Sequence, residues 1–152
     1  MDIESKLAEM GLTLPDAPAP AANYVPYVVV GNLVFVSGQI SKDGDRWIKG
    51  KLGADADLAK GVEAAQVCAL NLLAQVKAAA GGDLSRLKQV VRLGGFVNCT
   101  GDFMDQPAVI NGASDLLGTL LGAAGQHSRA AVGAPSLPFG VAVEIDGVFE
   151  LS

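Results

Sequence analysis

Arg129 and Glu144 are the residues whose chemistry is hardest to explain by folding alone. Each stands by itself in a run that otherwise reads as buried strand, Ser128-Arg129-Ala130-Ala131-Val132 and Val141-Ala142-Val143-Glu144-Ile145. Burying an ionised group without a partner costs several kcal/mol, so each charge needs a role. One role is structural, an ion pair between neighbouring strands. The other is chemical: the guanidinium holds a small anionic ligand while the carboxylate steers a water or a proton. His127, two residues before Arg129, is the only histidine. It reads either as a general base or ribonuclease residue, or as a loop or interface side chain.

Other chemistries lack their residues. The chain has no G-x-S-x-G, no Walker loop and no G-x-G-x-x-G at a strand-to-helix junction. With one histidine, two cysteines without C-x-x-C spacing and no carboxylate cluster at ligand spacing, no metal site is expected. Cys68 reads as a buried helix residue and Cys99 as a strand-end residue, both reduced thiols. A net charge of −5, with eleven scattered Lys and Arg, argues against an extended phosphate-binding surface and makes RNA an unfavoured partner.

The elements that must position Arg129 and Glu144 belong to one domain of 152 residues, half of them hydrophobic. Aromatics are only 5% and glycines number 19, so the core is built from small and aliphatic side chains. A mean hydropathy of +0.36 leaves apolar surface in excess, which argues for an oligomer. No apolar run is long enough for a membrane span, and the start Met1 to Lys6 lacks the basic and apolar regions of a secretion signal. A cytoplasmic location is the expectation.

Residues 1–22 divide into a short helix, capped by Asp2 with Ile3, Leu7 and Met10 on one face, and a linker carrying Pro15, Pro18 and Pro20. Residues 23–152 form the domain proper. Two β-rich segments, Tyr24 to Val30 and Leu33 to Ser37, meet at Gly31-Asn32, a two-residue hairpin connection. Their near-continuous apolar content predicts a sheet covered on both faces, by helices and by a partner subunit. Arg46 to Lys49 is a short strand or part of a loop, and Trp47 is read as packing.

A helix runs from the N-cap Asp57 to Gly81-Gly82, with Leu58, Val62, Ala65, Ala69, Leu72, Val76 and Ala79 as its apolar stripe. Leu87 to Val97 is a strand in which Gly94-Gly95 marks a bulge or a close backbone approach. A second helix spans about Ala108 to Leu121, and two strands, Ser128 to Val132 and Phe139 to Glu150, close the chain. The order β-β-α-β-α-β-β predicts an α+β sandwich with two helices on one face of a mixed sheet.

Tyr24, the Gly31-Asn32 turn, Ser37-Gly38-Gln39, Arg129, Leu137-Pro138 and Glu144 follow one another in an order that resembles the Rid superfamily, the YjgF-type reactive-intermediate deaminases. The spacings from Tyr24 to Ser37 and from Arg129 to Glu144 match without a gap, and the resemblance covers about Tyr24 to Phe149. It implies a chorismate-mutase-like fold with a six-stranded type of mixed sheet, and a homotrimer with sites in the clefts between subunits. It also implies hydrolysis of a 2-imino acid, or its enamine tautomer, to a 2-keto acid and ammonia, without metal or organic cofactor. Arg129 stands where the family's carboxylate-binding arginine stands, and Glu144 where its water-positioning acid stands. Tyr24, Ser37 and Asn111 match cleft-lining positions, and Ala131 supplies a backbone contact where many members carry a cysteine.

The chain departs from the common pattern in its Arg129-Ala130-Ala131, in Gln126-His127-Ser128 before it, and in its N-terminal helix. It is similar to the branch labelled chorismate-mutase-like or putative endoribonuclease. Two alternatives to the deaminase are kept in view: a non-catalytic small-carboxylate binder with a regulatory role, and an endoribonuclease.

Overall fold

A computed structural model describes residues 2–20 and 22–152. Helix α1 (Ile3–Glu9) is followed by strands β1 (Tyr27–Val30), β2 (Leu33–Ile40), β3 (Lys42–Asp43) and β4 (Arg46–Trp47). Helix α2 (Leu58–Ala79), β5 (Leu87–Asn98), α3 (Gln106–Leu121), β6 (Ser128–Ala134) and β7 (Val143–Leu151) complete the chain.

The main sheet has five strands in the order β1-β2-β7-β5-β6, with β5 and β6 parallel and every other pair antiparallel. The sheet is mixed, as expected, but among the described residues no sixth strand joins it. Arg46-Trp47 instead pairs with Lys42-Asp43 in a separate two-stranded ribbon. β2, β5 and β6 run in one direction, so α2 and α3 are both crossovers between parallel strands, and each step moves the same way across the sheet. Right-handed crossovers in one direction place both helices on the same face.

That face is the core. Val34, Val36, Leu93, Val97, Val143, Ile145 and Phe149 point into it, beneath α2 and α3. The glycines of this layer permit close approach: a side chain on Gly112 would meet the Val62 carbonyl of α2, and one on Gly95 would lie 2.7 Å from Ile110. Gly94-Gly95 therefore marks close packing, and the two register shifts of β5 fall earlier, between Leu87 and Gln89 and between Val90 and Arg92.

α2 begins at its Asp57 cap, whose carboxylate accepts from Lys60 N at 2.9 Å. Leu58 is exposed, while Val67 to Val76 is buried on every side. The extra cover comes from the N-terminal segment, where Gln75 Nε2 donates to the Pro18 carbonyl at 2.6 Å. α1 packs on its own chain: Leu7 is fully buried, Lys6 Nζ donates to the Leu120 carbonyl, and Lys77 pairs with Glu4.

The opposite face is bare in the single chain. Register places Val28 and Val30 of β1 and Phe35 of β2 there, at 51%, 60% and 44% exposure, with Val148, Phe96 and Val132 beyond them. Of the two covers expected, the helices supply theirs within the single chain. Trp47 is partly exposed, meeting Phe139 in a tilted contact with ring centroids 5.3 Å apart and lying under the ammonium groups of Lys42 and Lys49.

Candidate functional site

The expected site residues fall into two groups, on opposite faces of the sheet. Arg129 pairs in register with Leu93, whose side chain is in the core, so it projects to the helix side. There Nη1 donates to Asn111 Oδ1 at 2.8 Å and to Ser114 Oγ at 3.0 Å, and Nη2 reaches the Pro107 carbonyl at 3.4 Å. All three acceptors lie on α3, and Asn111 and Ser114 are three residues apart, hence on one helix face. Ala131 projects the same way and packs against the core, so the chain has a methyl group where the family pattern has a thiol.

Ser114 was not foreseen. Its hydroxyl lies 2.9 Å from His127 Nε2, while His127 Nδ1 lies 2.6 Å from the Gly125 carbonyl oxygen. The histidine is therefore built into the arginine's surroundings through the serine. Beside them runs a shallow groove of about 320 Å³ lined by Ser114, Gly118, Gly125, Gln126, His127 and Arg129. The sequence signal that could have found Ser114 is its helical spacing from Asn111.

Glu144 lies on the bare face. It alternates with the fully buried Val143 and Ile145, and pairs with Phe96 of β5 and Ile40 of β2. Next to it, β2 carries an extra residue between Val36 and Gln39, so Ser37-Gly38 bulges against β7. A side chain on Gly38 would sit 2.5 Å from Glu144 Oε2, which is why a glycine follows Ser37. Burial pushes the Glu144 carboxyl above the usual glutamate range, and the negative charge of Asp146 adds to the rise. Asp146 is itself raised by burial, against the lowering effect of Arg92, which lies 3.7 Å away.

Ser37 belongs to the Glu144 side, and Tyr24 lies in the segment to which it is tied. Ser37 Oγ donates to the Val25 carbonyl at 2.8 Å and Ser37 N to the Pro26 carbonyl at 2.9 Å, tying the bulge to the segment that follows Tyr24. These bonds also take Tyr24 to Pro26 out of β1, because Pro26 has no N–H to give a ladder. Tyr24 is exposed. The Ser37 hydroxyl proton is already committed, so only its lone pairs are open to a ligand.

Arg129 and Glu144 do not meet within one chain. β5 lies between their strands, and their register partners Leu93 and Phe96 are three residues apart. On ordinary strand spacings that is roughly 14 Å between the two Cα atoms, with the side chains on opposite faces. Among the described residues neither makes an ion pair, so the structural role open to them in sequence, a bridge between neighbouring strands, is absent. Among the described residues no group of three or more His, Cys, Asp or Glu is placed to hold a metal ion, and no helix is long and apolar enough to cross a membrane.

The chain belongs to the family described as "YjgF/chorismate mutase-like, putative endoribonuclease", whose model matches residues 4–149 and so takes in α1. Protein TCP17 of Trypanosoma cruzi is 46% identical, over 99% of this chain and 94% of that one. The crystal structure of a protein of unknown function from Agrobacterium tumefaciens is 50% identical with a TM-score of 0.93, over 99% and 92%. A more distant structure, Escherichia coli TdcF with bound serine, is 25% identical with a TM-score of 0.64, over 90% and 94%.

Proposed function

We propose that the protein hydrolyses reactive 2-imino acids, or their enamine tautomers, at sites shared between the subunits of a homotrimer. Arg129 of one subunit takes the substrate carboxylate, and Glu144 of a neighbour holds the attacking water. The observation that carries this reading is the split of the expected residues. Arg129 and Ala131 lie on β6 with Asn111 against them on α3, whereas Ser37 and Glu144 lie on the bare side on β2 and β7, with Tyr24 exposed in the segment before β1. Two half-sites on opposite faces complete each other only when the edge of one copy meets the bare face of the next. Exposed Val28, Val30 and Phe35 give that face a reason to be covered. The serine bound to TdcF supports an amino-acid-like ligand with a carboxylate.

The chemistry needs few groups. An imine carbon is already electrophilic, so fixing the carboxylate and orienting a water supplies much of the acceleration by proximity. Water adds to C=N as Glu144 takes one of its protons and passes it to the nitrogen, giving the carbinolamine; Glu144 then takes the hydroxyl proton and hands it to the nitrogen as the C–N bond breaks, leaving the C=O of the 2-keto acid and ammonia. A carboxyl raised above its usual range suits that exchange better than a strongly acidic one.

The test is turnover of freshly generated 2-imino acids, read as 2-keto acid. Arg129→Ala and Glu144→Gln should each lose on the order of 100-fold or more in turnover. Co-refolding the two inactive variants should return activity, because random mixing leaves about a quarter of shared sites with both halves intact. Mixed trimers without activity would rule out the shared site, and a wild-type protein inert towards every imino acid would rule out the deaminase.

A further inference from the structure

The hydrogens around Arg129 can be assigned one by one. A carbonyl only accepts, so His127 Nδ1, at 2.6 Å from the Gly125 carbonyl oxygen, carries the ring proton, and in the neutral ring Nε2 is a bare acceptor. Ser114 must then donate its hydroxyl proton to Nε2 at 2.9 Å, which turns its lone pairs towards Arg129 Nη1 at 3.0 Å. The second Nη1 proton goes to Asn111 Oδ1, and one Nη2 proton points to the Pro107 carbonyl. A guanidinium has five N–H donors. Three are taken, leaving Nε–H and one Nη2–H for a ligand carboxylate.

We propose that Ser114 and His127 are positioning residues for these two donors. The ring, anchored on the Gly125 carbonyl, holds the serine, the serine locks Nη1, and the locked guanidinium presents Nε and Nη2 to the ligand. The proposal rests on the carboxylate-binding reading of Arg129 and goes beyond it by assigning two residues that need not touch the substrate. The acceptors around Arg129 are an amide, a hydroxyl and a carbonyl, all neutral, so the positive charge stays available to the ligand. A carboxylate at position 114 would fix the side chain equally well and cancel that charge. The arrangement also explains why a long side chain on an edge strand can be held ready without a salt bridge.

Two readouts separate this proposal from the reading beneath it. The first is the ¹⁵N side-chain NMR of Arg129, assigned by its loss in Arg129→Lys. Restricted Nη groups should give resolved signals in the wild type and in Ser114→Thr, and averaged signals in Ser114→Ala and His127→Phe. The second is calorimetric affinity for 2-oxobutanoate, with KM and kcat for 2-iminobutanoate. Ser114→Ala and His127→Phe should raise Kd and KM about tenfold and leave kcat within about twofold, and Ser114→Thr should restore both. Ser114→Asp should keep the NMR signature and lose the affinity. Unchanged Arg129 signals in Ser114→Ala, or averaged signals with unchanged affinity, would overturn the proposal. If the wild type neither binds the keto acid nor turns over the imino acid, the carboxylate reading fails, and the NMR contrast alone decides whether the pair fixes the guanidinium.

Discussion

The two faces of the sheet are built to different degrees of completion. On the helix side, the buried polar side chains have partners, with Gln75 Oε1 the exception among the described residues. Asn71 on α2 donates to the carbonyls of Ile40 and Lys42, Gln75 reaches Pro18, and the fork of Arg129 is divided among three acceptors. On the bare side, valines and Phe35 stand exposed beside Glu144 and Asp146, whose carboxyls burial has already raised. A chain that satisfies one face by itself and leaves the other apolar, with a tuned carboxylate in it, assigns different work to the two. The helix side fixes the geometry of a charged donor. On the proposed trimer, the bare side holds an acid whose environment a second copy finishes.

The comparison breaks most readily at Phe35. On the trimeric reading, light scattering of the wild type should return about three chain masses of 15.5 kDa, and Phe35→Asp should return one. Burying a lone carboxylate in an apolar interface is unfavourable enough to abolish assembly, and with it imine turnover. A wild-type monomer would remove the reason given for the exposed valines. Leu7→Ala probes the completed side. Leu7, on the inner face of α1, is fully buried, so its truncation should cost about 2 to 5 kcal/mol, seen as a denaturation midpoint below that of the wild type at every protein concentration. Assembly and ligand affinity should survive it, since α1 packs on the helix layer and away from the bare face. A Leu7→Ala protein that dissociated instead would mean that the two sides are not independent.

What was legible in the sequence follows the range of the interactions involved. α2 could be read from Asp57 and Gly81-Gly82 because caps act within a turn, and the hairpin from Gly31-Asn32 because that connection is local. The reach of Arg46-Trp47 could not, since two-residue strands carry no periodicity. The full burial of α2 was missed because its cover, the proline segment, is far away in sequence. At the site, Arg129 and Glu144 stood out as charges in apolar strands. That they project to opposite faces depends on β7 being inserted between β2 and β5, which no local pattern encodes. Asn111 came through the family resemblance, and the structure places it on Arg129. Ser114 had neither an anomalous context nor a matching motif, and only the fold brings it between His127 and the guanidinium.

Glu144 allows the finest test, through the pH dependence of stability. Its carboxyl is raised in the folded protein by burial and by the charge of Asp146, so the folded state holds this proton more tightly than the unfolded state does. Stability therefore falls as pH rises from the ordinary glutamate range through the raised value, and levels off once Glu144 is ionised in both states. Glu144→Gln has no such loss. Below the ordinary range the two proteins should differ little. Above it the variant should become the more stable, by less than about 1 kcal/mol because the half-exposed carboxylate is partly screened by solvent. Asp146, raised mainly by the same burial, should leave a similar slope in both proteins, so the difference between them isolates Glu144. Urea melts between about pH 4 and 8 would measure it. A variant less stable than the wild type at neutral pH would mean that Glu144 is held by a cation in solution, and its carboxylate would then belong to the scaffold rather than to the water.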